Sequence, residues 1–412
     1  MPDNGLPAGW RRVPLREVAT IVMGQAPPGS AVVDWNGTTP SKGLPFIQGN
    51  AEFTNSHPAP VKWCSDPAKI AQAGDTLISV RAPVGEMNFA DRKLAIGRGV
   101  AAVRFTGVDG RFGWHQVARA RATFSRISQG STFTAINSGD LAELELLAPP
   151  PDEQRRIAEV LDSIDAAIEK TEAVIAATER LRSALLGELL TRGVPGWHTE
   201  WKQVPGIGTI PACWGVMRLG DCGKWLSGGT PSKSRADFWV GSLPWVSPKD
   251  MKVRIISDAE DHISAEAASR LRIIQAGALL VVVRGMILAH SFPVGMTSRD
   301  VTFNQDMRAL LCGTGIVPGY LLACLESRRD SLVRLATPST HGTMRVVSEE
   351  LFDVQVPKPD EREQERICES ITALDERIKI ERDLLAELST LKRAVGEALL
   401  SGQLRVFAKG RA

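Results

Sequence analysis

Basic and amide side chains recur in the turns that the sequence predicts, and their chemistry is hydrogen bonding rather than bond making. Arginine can form a bidentate pair with guanine, and asparagine or glutamine can do so with adenine. The candidates for such contacts to DNA are Lys42, Gln48, Asn50, Arg81, Arg98, Gln129, Lys233, Arg235, Lys249, Arg284, Gln305, His341 and Arg345. For any one of them, an exposed and solvated side chain without a ligand is the competing interpretation.

Arg81 and Arg284 stand out because each ends a glycine-led apolar run. Gly74-Asp-Thr-Leu-Ile-Ser-Val-Arg81 matches Gly277-Ala-Leu-Leu-Val-Val-Val-Arg284. Runs of this kind predict a buried strand, so we expect the two arginines at equivalent strand ends. The alternative to a DNA contact is a hydrogen bond from each guanidinium to neighbouring backbone carbonyls. The residues after Arg284, Gly-Met-Ile-Leu-Ala, lack the Pro-Val-Gly of the first copy.

Sequence elements for catalysis are absent. The chain has no G-x-x-x-x-G-K-[ST] phosphate loop, since Gly228-Gly-Thr-Pro-Ser-Lys-Ser has the wrong spacing and contains a proline. It also has no Asn/Asp-Pro-Pro-aromatic element of an amino-methyltransferase. The six histidines form no H-x-x-x-H pair that would suit a metal. We therefore expect no catalytic residues, no metal and no cofactor bound by this chain.

The composition is that of an ordinary globular protein. The 412 residues are 43% hydrophobic and 23% charged, with a formal net charge of +2, which argues against wholesale disorder. Residues 1–150 carry 15 Lys/Arg against 12 Asp/Glu, and residues 201–357 carry 17 against 14, a weak indication of DNA contact in these segments. No apolar run reaches the roughly 18 residues of a membrane span. Six scattered cysteines fit reduced thiols in the cytoplasm.

An internal duplication at an offset of 210 residues is the dominant pattern of the chain. The matched segments are Gln154-Arg-Arg-Ile157 with Gln364-Glu-Arg-Ile367 and, without a gap, Asp165 with Asp375 through to Leu189-Leu190 with Leu399-Leu400. Just upstream, Pro151-Asp-Glu153 matches Pro359-Asp-Glu361 only after a slip of two residues.

Each copy of the duplication predicts a long helix with an apolar seam. Apolar residues recur at the 4-3-4-3 spacing of a coiled coil, with Arg182 and Lys392 as matching polar interruptions. The seam positions are Ile157, Leu161, Ile164, Ile168, Ile175, Leu185 and Leu189 in the first copy, and Ile367, Ile371, Leu374, Ile378, Leu385, Leu388, Val395 and Leu399 in the second. About forty residues give a rod of roughly 60 Å, and we expect the two helices to pack antiparallel.

The two larger segments also match each other, more loosely. Residues 10–15 match 214–219, residues 24–27 match 228–231, and residues 44–47 match 243–246. Short β-branched runs broken by Gly, Pro and Asn predict strands and turns with few helices. Each segment ends in an extended run to a proline, Pro149 or Pro357. Most of the ten tryptophans lie in strand-like surroundings or at domain entrances, so we expect them in the core.

Together these patterns predict an α+β fold. It would consist of two similar globular domains separated by two long antiparallel coiled-coil helices, with pseudo-twofold symmetry. We place the first domain at residues 1–150, the first spacer helix at 151–193, the second domain at 194–357, and the second spacer helix with the C-terminal tail at 358–412.

This order of domain, helix, domain and helix resembles the specificity subunits of Type I restriction-modification enzymes. SVRAPVGEMNFADRKLAIGRGVAAVRF (79–105) is similar to the middle of a target recognition domain, and SGGTPSKS (227–234) to a domain opening. PPPDEQRRIAEVLDSID (149–165) is similar to the entry of a conserved helix, and LLSGQLRV (399–406) to the family's C-terminus. The resemblance covers nearly the whole chain.

The resemblance implies a non-catalytic protein of the cytoplasm. Each globular domain would be a target recognition domain that reads one half of a bipartite site in double-stranded DNA. The helices would bind two methyltransferase subunits, which methylate adenine N6 with S-adenosylmethionine. Separate motor and nuclease subunits would use ATP and magnesium for restriction.

Two other functions stay open on the sequence. The chain could be an orphan specificity protein or DNA-binding regulator of the same family, acting without nuclease partners. It could also be a coiled-coil scaffold with no DNA role, although the duplicated loops that end in arginine argue against this. Four charged residues on the outer faces of the helices would dock partners or simply be solvated; they are Arg155, Glu159, Arg366 and Glu369.

Overall fold

Each of the two units into which the chain divides contains one globular domain and half of each long helix. The computed structural model describes residues 5–35, 37–38, 40–54, 56–121, 135–339 and 342–406. The first unit comprises Met1–Glu172 and Asp383–Ala412, and the second comprises Ala173–Arg382. The second unit is thus one continuous stretch of chain, whereas the first is assembled from two.

The first globular domain is built on a four-stranded antiparallel sheet and a five-stranded mixed sheet. In order across the four-stranded sheet, the strands are Ala19–Met23, Val100–Phe105, Thr76–Ser79 and Met87–Phe89. In order across the five-stranded sheet, they are Val32–Asp34, Lys62–Cys64, Leu44–Ile47, Leu94–Ile96 and Ile70–Ala71. A separate two-stranded sheet pairs Arg11–Pro14 with Glu145–Ala148. Thr76–Ser79 is buried at all four positions. Consecutive buried residues mean that both faces of this central strand are covered.

The second globular domain is built on a five-stranded sheet and a three-stranded sheet, both of them mixed. In order across the five-stranded sheet, the strands are Gly223–Ser227, Met307–Cys312, Leu279–Val282, Val294–Thr297 and Ile255–Ile256. In order across the three-stranded sheet, they are Asp261–Ile263, Leu243–Val246 and Thr302–Phe303. Two-stranded sheets pair Trp201–Val204 with Gly208–Pro211, Gly215–Arg218 with Gln355–Lys358, and Ala336–Pro338 with Met344–Val346. The first four strands of the five-stranded sheet have the same order and the same antiparallel pairing as the four-stranded sheet of the first domain. The duplication seen in the sequence is therefore a duplication of structure.

Short helices complete each domain. A ten-residue helix follows the longest strand in both, Gly110–Arg119 in the first domain and Pro318–Ser327 in the second. The sequence did not predict them. The Asp109 carboxylate caps the first of these by accepting hydrogen bonds from the backbone of Arg111 and Phe112. In the part of the chain that the structure describes, the remaining α-helices are Leu15–Val18, Ser138–Ala142, Ala265–Ala268, Arg329–Val333 and Ser348–Phe352.

The two long helices, Pro151–Arg192 and Glu361–Ser401, pack antiparallel inside each unit. In the second unit Glu179 pairs with Arg382, while Arg182, further along the first helix, pairs with the earlier Asp375. Residue numbers therefore rise along one helix as they fall along the other. Across the described residues, neither these helices nor the shorter ones combine the length and apolar character that crossing a membrane requires.

The positions of the predicted apolar seam are shielded from solvent. Every seam residue is buried or half-buried, and Ile157, Leu161, Ile367, Ile371 and Leu399 are almost wholly inaccessible. The α+β fold class, the two similar domains and the antiparallel helices are confirmed. The pseudo-twofold symmetry between the two halves stays a prediction.

A buried tryptophan ties the start of each long helix to its domain. The Trp10 indole Nε1 donates to the Glu153 carboxylate at 3.3 Å, and the Trp214 indole Nε1 donates to Glu363 at 2.8 Å. Both tryptophans are buried, as the sequence predicts. These contacts make Glu363 the counterpart of Glu153, at the full offset of 210, so the slipped match of Glu153 to Glu361 is wrong.

The glutamine that follows each of these glutamates makes a second shared contact. Gln154 donates to the Pro149 carbonyl at 2.8 Å and accepts from the Asp109 backbone N–H at 2.8 Å. Gln364 donates to the Pro359 carbonyl at 2.9 Å and accepts from the Val317 backbone N–H at 2.9 Å. Each side chain thus joins a long helix to the residue that caps the ten-residue helix of the domain.

Candidate nucleic-acid interface

Four of the six predicted DNA contacts in the first domain line one cleft. Gln48, Asn50, Arg81 and Arg98 lie around a space of about 290 Å³, together with Glu52 and small residues. Positions separated by up to fifty residues in the chain are thus brought together. We call this space the first-domain cleft.

Two tight turns position the cleft residues. Gln48 directly follows strand Leu44–Ile47, and the adjacent turn is held by the Glu52 carboxylate, which accepts from the Gly49 backbone N–H at 3.3 Å. The second turn, residues 97–99, is joined to the first because the Gly99 backbone N–H donates to the Gln48 carbonyl at 3.0 Å. A Cβ at Gly99 would lie 2.5 Å from that carbonyl oxygen, so only glycine allows this approach.

Arg81 enters the same cleft from the end of the buried strand Thr76–Ser79. The Val80 backbone N–H donates to the Gly99 carbonyl at 2.9 Å and so fixes Arg81 beside Arg98. Both arginines are exposed. Within the described part of the chain, neither guanidinium has a hydrogen-bond or ion-pair partner, so the expected alternative of a bond to backbone carbonyls is not formed there. The cleft thus combines the guanidinium groups of Arg81 and Arg98 with the amide side chains of Gln48 and Asn50. This set suits a ligand that carries negatively charged groups and also exposes the hydrogen-bonding edges of bases.

The other two candidates of the first domain do not join the cleft. Lys42 is exposed, and its backbone carbonyl accepts from the Trp63 indole at 2.9 Å. Gln129 lies outside the described residues.

The second domain places its candidates on the same backbone framework. The Asn304 N–H donates to the Val246 carbonyl at 2.9 Å, as Gly97 does to Ile47 at 2.8 Å. The bond from Val80 to Gly99 likewise recurs, from the Val283 N–H to the Asp306 carbonyl at 2.9 Å. These bonds make Arg284 the counterpart of Arg81 and Gln305 the counterpart of Arg98.

Lys249 and Arg345 also have counterparts in the first domain. Lys249 lies in the turn Pro248–Asp250, which follows strand Leu243–Val246 as the turn Asn50–Glu52 follows Leu44–Ile47. Arg345 forms an isolated backbone bridge with Arg284, as Ala135 does with Arg81. Both side chains are exposed. The second domain therefore presents a comparable set of polar side chains from equivalent turns.

Some of the cationic side chains predicted to contact DNA form ion pairs with nearby carboxylates. The Lys249 ammonium lies 2.9 Å from the Asp261 carboxylate and 3.0 Å from the Glu260 carboxylate, and the hydrogen bonds that it donates to these two acids raise the pKa of Lys249. Arg235 is bidentate to Asp237 and stacks 4.3 Å from the centre of the Phe238 ring. These pairs reduce the positive charge that Lys249 and Arg235 offer to a phosphate.

The remaining candidates of the second domain are placed as follows. The Arg284 guanidinium lies 3.9 Å from the Asp306 carboxylate, and this distance leaves the guanidinium largely available to a ligand. Lys233 is exposed, and His341 lies outside the described residues. Next to Arg284, Met286 and Ile287 are 59% and 44% exposed, so the loop whose sequence departs from the first copy presents apolar side chains to solvent.

A group of charged side chains that sequence analysis missed joins the first domain to the first long helix. His115, Asp162 and Asp165 each place a possible metal-ligand atom within 4.8 Å of the others. Arg111 already binds Asp162 at 2.7 Å, and Lys392 binds Asp165 at 2.5 Å. Two cations therefore neutralise the two carboxylates, and the group serves as an ion-pair network.

The pKa of Asp162 reflects this network. Burial alone would raise the pKa of the Asp162 carboxyl, but hydrogen bonds from His115 and Arg111 outweigh it and hold the pKa well below its usual range. Asp162 is therefore a carboxylate at neutral pH. No spacing rule relates residues 111, 115 and 162 in the sequence, because their proximity depends on how a domain helix packs on the long helix.

The charged outer faces of the long helices are open in the described residues. Arg155, Glu159, Arg366 and Glu369 are all exposed. Arg366 pairs with Glu369 at 2.8 Å on its own helix, and Arg155 pairs with Asp152. Exposed pairs of this kind contribute little to stability, which leaves both a docking role and simple solvation possible for these side chains.

Comparison with known proteins shows two matches to one family model along the chain. The model is described as the Type I restriction modification DNA specificity domain, and it matches residues 7–179 and again residues 211–390. Each match begins near one of the equivalent tryptophans, Trp10 and Trp214. The two matches together account for most of the chain.

Curated relatives carry similar descriptions. The Type I restriction enzyme EcoR124I/EcoR124II specificity subunit of Escherichia coli is 37% identical over 160 residues, which are 38% of this chain and 40% of that protein. The putative type I restriction enzyme MjaX specificity subunit of Methanocaldococcus jannaschii is 36% identical over 190 residues, which are 45% of this chain and 44% of that protein. Each match spans less than half the length of the relative.

Solved structures share the fold over almost the entire chain. The S subunit of a Type I restriction-modification system from M. genitalium has a TM-score of 0.64 at 13% identity, covering 97% of this chain and 98% of that one. A chain from work on complex assembly and conformational transition of the type I R-M system has a TM-score of 0.55 at 17% identity, covering 97% and 99%. At these identities, the likeness establishes the fold alone.

Proposed function

This chain belongs to the family of Type I restriction modification DNA specificity domains, and from that premise we propose that it is the sequence-reading subunit of a Type I restriction-modification complex. Each globular domain is a target recognition domain that reads one half of a bipartite site in double-stranded DNA. The base pairs between the two halves are left unread.

One observation carries the proposal. Equivalent turns of the two domains present exposed basic and amide side chains, with Arg81 and Arg98 in one domain and Arg284 and Gln305 in the other. A pure scaffold would have no use for such side chains at the same places in both domains. Two reading surfaces on one chain fit a site with two halves.

The proposal assigns the chemistry to other subunits. Two methyltransferase subunits would dock on this chain and methylate adenine with S-adenosylmethionine, and motor and nuclease subunits would use ATP and magnesium. The chain itself would be non-catalytic and bind no cofactor, which fits the absence from its sequence of a phosphate loop or a methyltransferase element. It would act in the cytoplasm, where genomic DNA and these cofactors are found.

Methylome sequencing of the native host, with and without this gene, tests the proposal. Loss of the gene should abolish adenine methylation at one bipartite motif and leave other motifs methylated. Methylation that persists at every motif would contradict it. Methylation that depends on the gene in a host that does not restrict unmodified DNA would identify an orphan specificity protein.

A reconstitution separates the reading role from catalysis. The purified chain, supplied with S-adenosylmethionine, ATP and magnesium, should neither methylate nor cut DNA, and methylation should appear when methyltransferase subunits are added. A salt-dependent binding assay identifies the scaffold alternative, because a scaffold would show no DNA affinity that falls with salt.

A further inference from the structure

We propose that Arg98 and Gln305 are base-reading residues that make the two half-sites different, with Arg98 selecting guanine and Gln305 selecting adenine. This inference rests on the proposed function. It begins from the structural equivalence of the two positions. Their separation of 207 residues conceals this equivalence, because the other sequence matches between the domains lie at separations of 199, 203 and 204.

Matching backbone hydrogen bonds establish that equivalence. Arg98 is the central residue of the turn 97–99, and the Val100 N–H closes this turn on the Gly97 carbonyl at 3.0 Å. Gln305 is the central residue of the turn 304–306, which the Met307 N–H closes on the Asn304 carbonyl at 3.3 Å. Both turns follow a strand that pairs in parallel with the same partner strand of the domain. The two side chains therefore leave the same place in each framework.

The turn holds its central side chain firmly at the surface. In the first domain Gly97 and Gly99 pack against the backbone of residues 47–49, where no Cβ would fit without a shift. In the second domain, the Thr230 hydroxyl donates to the Gln305 carboxamide oxygen. This bond orients the amide and leaves its N–H groups and one oxygen lone pair to face a ligand. Preorganised side chains lose little freedom on binding.

The difference in residue type suggests selectivity. Arg81 and Arg284 are the same residue at equivalent places, so they would make the same contact in both halves. Arg98 and Gln305 differ, and each suits a different purine: arginine donates twice to guanine O6 and N7, whereas glutamine donates to adenine N7 and accepts from adenine N6. Within the described residues, Arg98 has no partner that would compete for its donors.

Reciprocal exchange of the two residues tests the inference. Arg98→Gln and Gln305→Arg would be reconstituted with the methyltransferase subunits, and methylation would be profiled on a plasmid library with randomised half-sites. Arg98→Gln should convert one G·C pair to A·T in the half-site of the first domain only, and Gln305→Arg should convert one A·T pair to G·C in the other. A bidentate contact predicts a change in preference of about 5-fold to 150-fold at that pair.

Matched controls use the same substitutions elsewhere. Arg92→Gln replaces an exposed arginine paired with Asp91, and Gln275→Arg replaces an exposed glutamine of the second domain; neither should alter the motif. Each variant's melting temperature checks its folding.

Two results would overturn the inference while leaving the proposed function intact. One is an unchanged motif. The other is an affinity that falls equally for all sequences, with a salt slope reduced by about one, which indicates a phosphate contact. If instead the wild-type complex shows no motif at all, the proposed function itself fails.

Discussion

The Lys392 ammonium on the second long helix lies 2.5 Å from the Asp165 carboxylate on the first. In the second unit, the Arg182 guanidinium lies 2.5 Å from the Asp375 carboxylate, so that the acid and the base have exchanged helices. The two acids are 210 residues apart in the chain, and so are the two bases. The polar interruption of each seam is therefore an ion pair between the helices.

The second of these pairs should matter more for stability, because it belongs to a larger network. Asp375 also binds Arg254 at 2.7 Å, and Glu326 binds both arginines. Asp375→Asn leaves two partly buried guanidinium groups short of a partner and should lower the free energy of unfolding by about 1.5–3 kcal/mol. Lys392→Met removes a more exposed pair and should cost about 0–1 kcal/mol. Urea unfolding of the two variants measures both, and equal costs would refute the ranking.

Acid stability should depend on Asp162. Its folded-state pKa is depressed, so it contributes stability above its unfolded pKa of about 3.9, and this contribution is lost as the pH falls towards the folded pKa. Asp162→Asn should therefore lower the melting temperature most at neutral pH, and the difference from wild type should shrink below about pH 4. Asp152→Asn, at an exposed carboxylate on the same helix, is the control and should change the melting temperature little. A constant difference for Asp162→Asn would contradict the expectation.

Arg81→Ala and Arg284→Ala should weaken DNA binding without unfolding the domains. Arg81 has no partner in the described residues and Arg284 only a distant one, so their melting temperatures should stay close to wild type. A base contact predicts a loss of about 1–3 kcal/mol confined to one half-site, while a phosphate contact predicts a uniform loss. Fluorescence anisotropy with duplexes altered in either half distinguishes these results. Normal affinity in stable variants would remove both residues from the interface.

Helix length should set the unread spacer of the DNA site. Removing residues 169–175 and 379–385 deletes one heptad from each long helix but keeps the Asp165–Lys392 and Arg182–Asp375 pairs. Seven residues correspond to about 10 Å of helix, or roughly three base pairs of DNA. The methylated motif should therefore lose about three spacer positions and keep both half-site sequences. A changed half-site with an unchanged spacer would contradict the model.

The seam and the strand-end arginines could be predicted from sequence because both depend on local periodicity. Coiled-coil spacing reports burial directly, and the seam is buried as predicted. The run that ends at Arg81 recurs at Arg284 with no insertion between its start and its end. Such patterns need no knowledge of distant contacts.

The rest depends on packing that spacing does not encode. Lys249 pairs with two acids, Glu260 and Asp261, that lie at the start of a neighbouring strand. This strand reaches Lys249 because Asp261 faces Trp245 across the sheet. The equivalence of Arg98 and Gln305 is hidden by insertions and by the change of residue type. Glu153 and Glu363 share a role only because each meets a tryptophan that enters from its own domain.

The division of each long helix between the two units has a consequence for synthesis. The second unit is continuous, and all its residues have been translated by position 382. The first unit needs contacts such as those of Gln116 with the Leu400 carbonyl, 284 residues away, and of Glu153 with Arg405, 252 residues away. At a synthesis rate of about 5–20 residues per second, Leu400 is translated roughly 15–60 s after Gln116. The domain that leaves the ribosome first is therefore the last whose contacts can be completed.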